Sequence, residues 1–228
     1  MEEVKNTERK ISFPLIGKPA PEFTANTTNG PINFPSDYKG KWVVFFSHPG
    51  DFTPVCTTEF MAFANMYDEF KALDTELVGL SVSSVNSHLA WIDSMKKLSW
   101  GDIKNPEVKF PIIDDVKMEV ADKYGMVQGE SDCSAVRAVF IVDPNGIIRS
   151  IIYYPAPLAR NMQEIKRAVI GLQKVDKEQV ALPADWKPGD DVIVFPPATA
   201  DAMNAAPDDA KENGYEMLDW YLTFKKDK

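Results

Sequence analysis

The chain has 228 residues, 44% of them hydrophobic and 26% charged, a composition that can fill the core of an ordinary soluble globular protein of one or two domains. Its net charge of −9 excludes the basic face that nucleic acid needs and disfavours binding to an anionic membrane surface. Its 2 cysteines, Cys56 and Cys133, are too few for a disulfide framework, and without a Cys-x-x-Cys they exclude a zinc ribbon and a dithiol redox motif.

The opening "MEEVKNTERKISFPLIG" is polar and then briefly apolar, without the order of a signal peptide. No run approaches the ~18 apolar residues of a membrane-spanning helix. A reducing cytoplasm is the expected setting. Apolar runs of strand length then alternate with helical patterns. "KWVVFFS" (41–47) predicts a buried strand. "CTTEFMAFANMYDEFKAL" (56–73) sets Phe60, Phe63, Tyr67 and Phe70 three and four apart, which predicts an amphipathic helix. "TELVGLSVS" (75–83) predicts a second strand, and 86–98 a helix capped by Asn86 or Ser87. A short strand in "FPIIDD" precedes a helix in "MEVADKYGM" that closes near Gly125. Residues 135–154 predict a hairpin turned by Asp-Pro-Asn-Gly, and 160–175 another helix. The sum is an α/β fold with a mixed central sheet flanked by helices.

From about residue 176 the chain turns rich in Pro and Asp. This predicts a domain over 1–175 and a C-terminal extended arm over 176–228, ending in a helix or ordered tail. Trp186, Phe195, Trp220 and Tyr221 would be costly to leave bare on such an arm. Either a partner chain covers them or the arm folds back on its own domain.

The stretch "FFSHPGDFTPVCTTEF" (45–60) carries the chemistry. Gly50 and Asp51 suit a turn, Thr53 an N-cap, and Pro54 the first helical position, where its missing N–H does no harm. Cys56 then falls in the first helical turn, near unpaired backbone amides and the positive end of the helix dipole, both of which favour thiolate over thiol. The alternative is an inert buried cysteine. No His, Asp and Glu fall at metal-ligand spacing and no Gly-rich phosphate loop is present, so neither metal nor cofactor is expected.

"HPGDFTPVCTTEF" resembles the active-site signature of the peroxiredoxins, Pro-x-x-x-Thr-x-x-Cys, matched by Pro49, Thr53 and Cys56. The likeness continues through "SHLAWI", "FPIIDD", "VADKYGM", "VRAVFIVDPNGIIR", "YYPAPLAR" and "LPADWKPGDDVIVFPP", nearly the whole chain, and points to the one-Cys branch that includes archaeal thiol peroxidases. It implies a thioredoxin-like fold and a peroxidase cycle. Cys56 attacks a peroxide oxygen and becomes a sulfenic acid. Thr53 hydrogen-bonds peroxide and sulfur, Arg137 stabilises the thiolate and the charge developing along S–O–O, and Pro49 shields the sulfur. His48 sits beside the peroxide, Arg160 is a second arginine of the site, and Glu59 orients either arginine. Each has a plainer alternative: Thr53 as a cap, Arg137 as a structural ion pair with Glu59 or Asp51, Arg160 as a surface charge, His48 as a satisfied loop histidine. His88 is expected to pack or to bond within a first helical turn.

Archaeal relatives of this branch carry resolving cysteines near the C-terminus. Here "GYEMLDWYLTF" has Met217 and Thr223 in those places, so that mechanism is absent. Cys133 lies four residues before Arg137, or ~13 Å at ~3.3 Å per extended residue, against the ~7 Å between Cα atoms that a disulfide allows. Resolution by Cys133 would need its loop to fold back or a second subunit to supply the thiol; an external thiol or dithiol is the expected reductant, with hydrogen peroxide and small organic hydroperoxides as substrates. The competing reading is a redox relay or holdase acting through oxidised Cys56. "GIIRSIIYY" (146–154) is a candidate edge strand, and the resemblance implies a homodimer that assembles into a ring.

Overall fold

Two short strands, β1 (Phe23–Ala25) and β2 (Ile32–Phe34), pair antiparallel ahead of the apolar run that becomes β3 (Trp42–Ser47). The structure, a computed structural model, describes residues 13–129 and 133–227; the first twelve residues of the polar N-terminal stretch lie outside them. All six residues of β3 are buried, as expected of a central strand with an apolar run on both faces. After β3 come helices α1 (Pro54–Asn65) and α2 (Tyr67–Ala72), strand β4 (Thr75–Ser81) and helix α3 (Val85–Met95). A small hairpin, β5 (Ser99–Trp100) with β6 (Ile103–Lys104), precedes β7 (Ile112–Asp114) and α4 (Glu119–Lys123). The predicted hairpin is β8 (Arg137–Val142) and β9 (Ile148–Tyr154).

These build a five-stranded sheet in the order β7-β4-β3-β8-β9, with β3, β4 and β7 parallel and β8 and β9 antiparallel. The sheet is mixed, as the element pattern predicted, and β9 is an edge. Asp143 makes the β8–β9 turn: its Oδ1 accepts from the amides of Asn145 (2.9 Å) and Ile147 (3.0 Å), and Gly146 takes the positive φ of 78°.

Two helices differ from expectation. The span 56–73 is interrupted at Met66, whose ψ of 5° ends α1 before α2 begins, although Phe60, Phe63 and Phe70 are buried as the period required. Helix α3 is capped by Ser84, whose Oγ accepts from the Ser87 amide, not by Asn86 or Ser87: the cap must precede the first turn, and the strand ends earlier than its apolar run.

Compactness divides the chain between Met162 and Gln163. The second unit holds α5 (Met162–Glu178) from Gln163 on, β10 (Val192–Val194), α6 (Ala200–Asn213), β11 (Glu216–Asp219) and β12 (Leu222–Lys225). The tail is a hairpin, not a helix, and pairs with β10 in the order β10-β12-β11. The segment is thus an ordered three-stranded sheet and a helix instead of an extended arm. Trp186, expected to need cover, is 1% exposed; its Nε1 donates to the Asp190 carbonyl (3.0 Å), and its ring lies against Gly171. Phe195, Trp220 and Tyr221 are exposed.

Candidate active site

The chain leaves the buried end of β3 at Ser47 and His48 and must reverse to start α1. Pro49 and Gly50 are half-buried, and Phe52 completes the reversal with a left-handed φ of 57°. Thr53 then occupies the N-cap position and Pro54 the first helical one, so Cys56 lies in the first turn as predicted. The hydroxyl of Thr53, however, does not cap the helix: it donates to the Gly50 carbonyl (2.9 Å). Its proton is committed to the turn and its lone pairs are left to accept. The amides of Val55 and Cys56 find no acceptor among the described residues, so first-turn donors remain at the sulfur.

Cys56 has no exposed surface, yet it is not in apolar surroundings. Arg137, the first residue of β8, sends Nη1 to Cys56 Sγ (3.2 Å) and to Glu59 Oε2 (2.6 Å), and its Nε donates to the Ala156 carbonyl (2.8 Å). The two readings of Arg137, sulfur partner and ion pair with Glu59, hold at once. Its Nη2 has no hydrogen-bond partner among the described residues. Arg160 is buried, not a surface charge. It gives Glu59 its backbone amide (2.8 Å), Nε (2.9 Å) and Nη2 (2.6 Å), and its Nη1 reaches the carbonyls of Ser47 (2.9 Å) and Ala138 (3.1 Å). Its guanidinium also lies over the rings of Phe46 (5.1 Å) and Phe63 (5.7 Å). Arg160 therefore fixes Glu59, and Glu59 aims Arg137 at the sulfur. Burial works against the charge on Glu59, but the hydrogen bonds and charge of Arg160, then the charge of Arg137, outweigh it and lower its pKa. Two buried guanidiniums share the single Glu59 carboxylate, so a net positive charge lies beside the Cys56 sulfur.

Sequence reasoning missed three residues of this arrangement. Ser47 bridges the end of the β3–β8 ladder, donating from Oγ to the Val136 carbonyl (2.5 Å) and accepting from the Ala138 amide (3.0 Å), which brackets Arg137. Asp51, assigned only to the turn, is drawn inside by two histidines. It accepts from His48 Nε2 (2.9 Å), and its Oδ2 faces His88 Nδ1 at 2.8 Å. His88 also donates from Nε2 to the Ile113 carbonyl (3.1 Å), which places it in a long-range network and not merely in its own first helical turn. The fold thus gathers a His–Asp–His group of a kind that can hold a metal ion and that spacing along the chain did not show, because its members come from a turn and from α3. The ring of His48 packs on Phe60 (4.6 Å) and Trp91 (5.1 Å). Cys133 is exposed, adjoins residues outside the description, and has no partner among the described residues.

Comparisons with known proteins agree with this geometry. Residues 16–151 match the AhpC/TSA family, and residues 171–209 match the C-terminal domain of 1-Cys peroxiredoxin. A peroxiredoxin of Methanosarcina mazei is 57% identical over 217 residues, spanning 94% of this chain and 99% of its own length. Peroxiredoxin 2 of Caldanaerobacter subterraneus subsp. tengcongensis is 50% identical over 226 residues, 99% of this chain and 98% of its own. Among solved structures, a yeast mitochondrial 1-Cys peroxiredoxin, described as resolved by the glutathione and thioredoxin systems, superposes with a TM-score of 0.81 at 40% identity. It covers 94% of this chain and all of its own. The fold is thioredoxin-like.

Proposed function

We infer a one-Cys catalytic cycle from the premise that the chain belongs to the peroxiredoxin family and is a thiol-dependent peroxidase. The Cys56 thiolate attacks the nearer oxygen of a hydroperoxide. An S–O bond forms as the O–O bond breaks, sulfur is oxidised by two electrons, and the departing oxygen takes a proton to leave as water or alcohol. Arg137 follows the charge as it moves, with Nη1 on the sulfur and Nη2 free to meet the peroxide. The open amides of the first turn face the same developing charge. Thr53 accepts the peroxide O–H, Pro49 walls the turn, and Glu59 and Arg160 hold the guanidinium in line.

An external thiol closes the cycle. It attacks the sulfenic acid to give a mixed disulfide and water, and a second thiol releases Cys56 and leaves with the first as a disulfide. Met217 and Thr223 offer no thiol, and the yeast relative is described as resolved by glutathione and thioredoxin systems, which supports the same class of reductant here. Hydrogen peroxide and small organic hydroperoxides suit a sulfur with no exposed surface. The edge position of β9, beyond Ile148, which bonds to Gly17 and Lys18, supports a homodimer made by pairing those strands and a ring made of dimers. The two free cysteines fit a reducing cytoplasm.

The observation that carries this reading is the single Arg137 nitrogen shared by Cys56 and Glu59. Its test is intact mass after one equivalent of hydrogen peroxide with a sulfenate trap, followed by turnover with dithiothreitol. One trapped adduct at Cys56 and continuous peroxide consumption are expected. A Cys56–Cys133 bridge would overturn the external-thiol cycle, and oxidation without turnover would favour the relay.

A further inference from the structure

Strand β3 runs through five apolar or aromatic side chains and ends on Ser47, which has no exposed surface. A buried hydroxyl needs partners of its own, and those of Ser47 lie on either side of Arg137. The β3–β8 ladder registers Phe46 with Val139 and goes no further. One step on, the Ser47 carbonyl is taken by Arg160 Nη1 (2.9 Å). The hydroxyl stands in for the ladder there. It accepts from the Ala138 amide (3.0 Å) and donates to the Val136 carbonyl (2.5 Å). The Ala138 amide also reaches the Val136 carbonyl directly (3.1 Å), the closure of a γ-turn with Arg137 at its centre. The mouth of that turn needs a donor and an acceptor on one atom, which a hydroxyl supplies and a methyl group does not.

The side chain that leaves this turn is a long lever. Its far end is held by Glu59 Oε2 (2.6 Å) and the Ala156 carbonyl (2.8 Å), and there Nη1 meets Cys56 Sγ (3.2 Å). A guanidinium nitrogen lies about 6 Å from its Cα, so a backbone rotation of about 10° carries it on the order of 1 Å, a displacement that can cost about 10²-fold in rate. The near end of the lever is held by Ser47. We propose that Ser47 is a positioning residue for peroxide reduction: its hydroxyl sets the backbone turn that aims Arg137 at Cys56, while its carbonyl holds Arg160, so one residue at the end of β3 serves both guanidiniums. The proposal rests on the peroxidase reading.

The test follows oxidation of Cys56 by hydrogen peroxide in the full-length protein, by stopped-flow fluorescence, in Ser47→Ala, Ser47→Thr, Arg137→Gln and the double variant Ser47→Ala/Arg137→Gln. Ser47→Ala keeps the carbonyl and loses only the hydroxyl. It should slow oxidation roughly tenfold, short of the 10² to 10³-fold that losing a donor outright costs. Ser47→Thr restores the hydroxyl and should recover most of the rate. Adding Ser47→Ala to Arg137→Gln should change the rate by less than about twofold, because the group that Ser47 aims is already gone. A purely structural hydroxyl would leave the rate of the folded Ser47→Ala protein unchanged, or lower it by the same factor with and without Arg137; either result overturns the proposal. Should Ser47→Ala not fold, the wild-type proton spectrum decides. A slowly exchanging Ser47 hydroxyl proton with a cross-peak to the Ala138 amide is expected, and a hydroxyl in free exchange with water overturns the proposal. A wild-type Cys56 that peroxide does not oxidise refutes the peroxidase reading instead and leaves that spectrum as it is.

Discussion

Cys56 has no exposed surface and a guanidinium nitrogen 3.2 Å from its sulfur, whereas Cys133 is exposed and has no charged partner among the described residues. If accessibility governed reactivity, Cys133 would be the peroxide target. If electrostatics governs it, Cys56 is. A small neutral peroxide can enter where a bulky alkylating reagent cannot, so the two kinds of reagent should rank the thiols in opposite order. The contrast teaches that burial alone does not describe a cysteine's surroundings: Cys56 is buried against a guanidinium and not only against apolar side chains.

The strongest way to break the contrast is to remove the charge. Arg137→Lys keeps a cation but loses the fork that serves sulfur and carboxylate together. Peroxide oxidation of Cys56, followed by stopped-flow fluorescence, should slow by roughly 10² to 10³-fold, the usual cost of one preorganised donor to a developing charge. An unchanged rate would mean that the helix start alone activates the sulfur. Glu59→Gln acts one step back. It removes the carboxylate that accepts from Arg137 and, three times over, from Arg160, leaving two buried guanidiniums without a counter-charge. Urea denaturation should show a loss of about 3 kcal/mol, as expected for breaking a buried ion pair from one side. The oxidation rate should fall as well, since Arg137 is no longer aimed.

Local pattern made much of this site readable. The turn residues, the proline at the first helical position and the phase of Phe60 and Phe63 placed Cys56 in the first turn of α1, and the apolar run of β3 placed that turn at the end of a buried strand. The same reasoning failed wherever the deciding partner is distant along the chain. Thr53 fits a cap by type, but its hydroxyl bonds Gly50 because the turn needs that donor. Asp51 and His88 are 37 residues apart, and only the packing of α3 against the sheet joins them. The C-terminal segment misled because its prolines and aspartates suggest an extended chain, while its short β strands are fixed by pairing that composition does not reveal. The buried side of Trp186 was hidden for the same reason.

Acid should discriminate between the two neighbourhoods, since buried Glu59 and Arg137 stand beside Cys56, while Cys133 is exposed and has no ion-pair partner among the described residues. Burial lowers His48 from 6.5 to about 4, so between those values the unfolded chain binds a proton that the folded chain refuses. The stability from keeping His48 neutral is complete above pH 6.5 and is lost as the pH falls through about 4. It amounts to about 2 kcal/mol between pH 7 and pH 5. The lowered pKa of Glu59 has the same sign but acts at more acid pH, below its ordinary value of 4.5. Urea denaturation at pH 7, 6 and 5 should therefore show a steeper loss for the wild type than for His48→Asn. Parallel slopes would show that the His48 ring can be protonated in place, and that the neutral imidazole is not a fixed part of the site.

The smallest expected effect belongs to the other thiol. Cys133→Ser removes an exposed sulfur with no hydrogen-bond or disulfide partner among the described residues, so stability should stay within about 0.5 kcal/mol, as for ordinary surface substitutions. Peroxide turnover with dithiothreitol should stay within about twofold if an external thiol does all the resolving. The absence of an effect carries weight here because the same variant loses turnover if Cys133 is the resolving thiol, and no helix charge or guanidinium can replace a missing sulfur. Only burial with Arg137 and Glu59 would then distinguish the attacking thiol from the spectator. Equal turnover in wild type and Cys133→Ser, together with loss of turnover in Arg137→Lys, would show that the electrostatics around Cys56 suffices for the reaction.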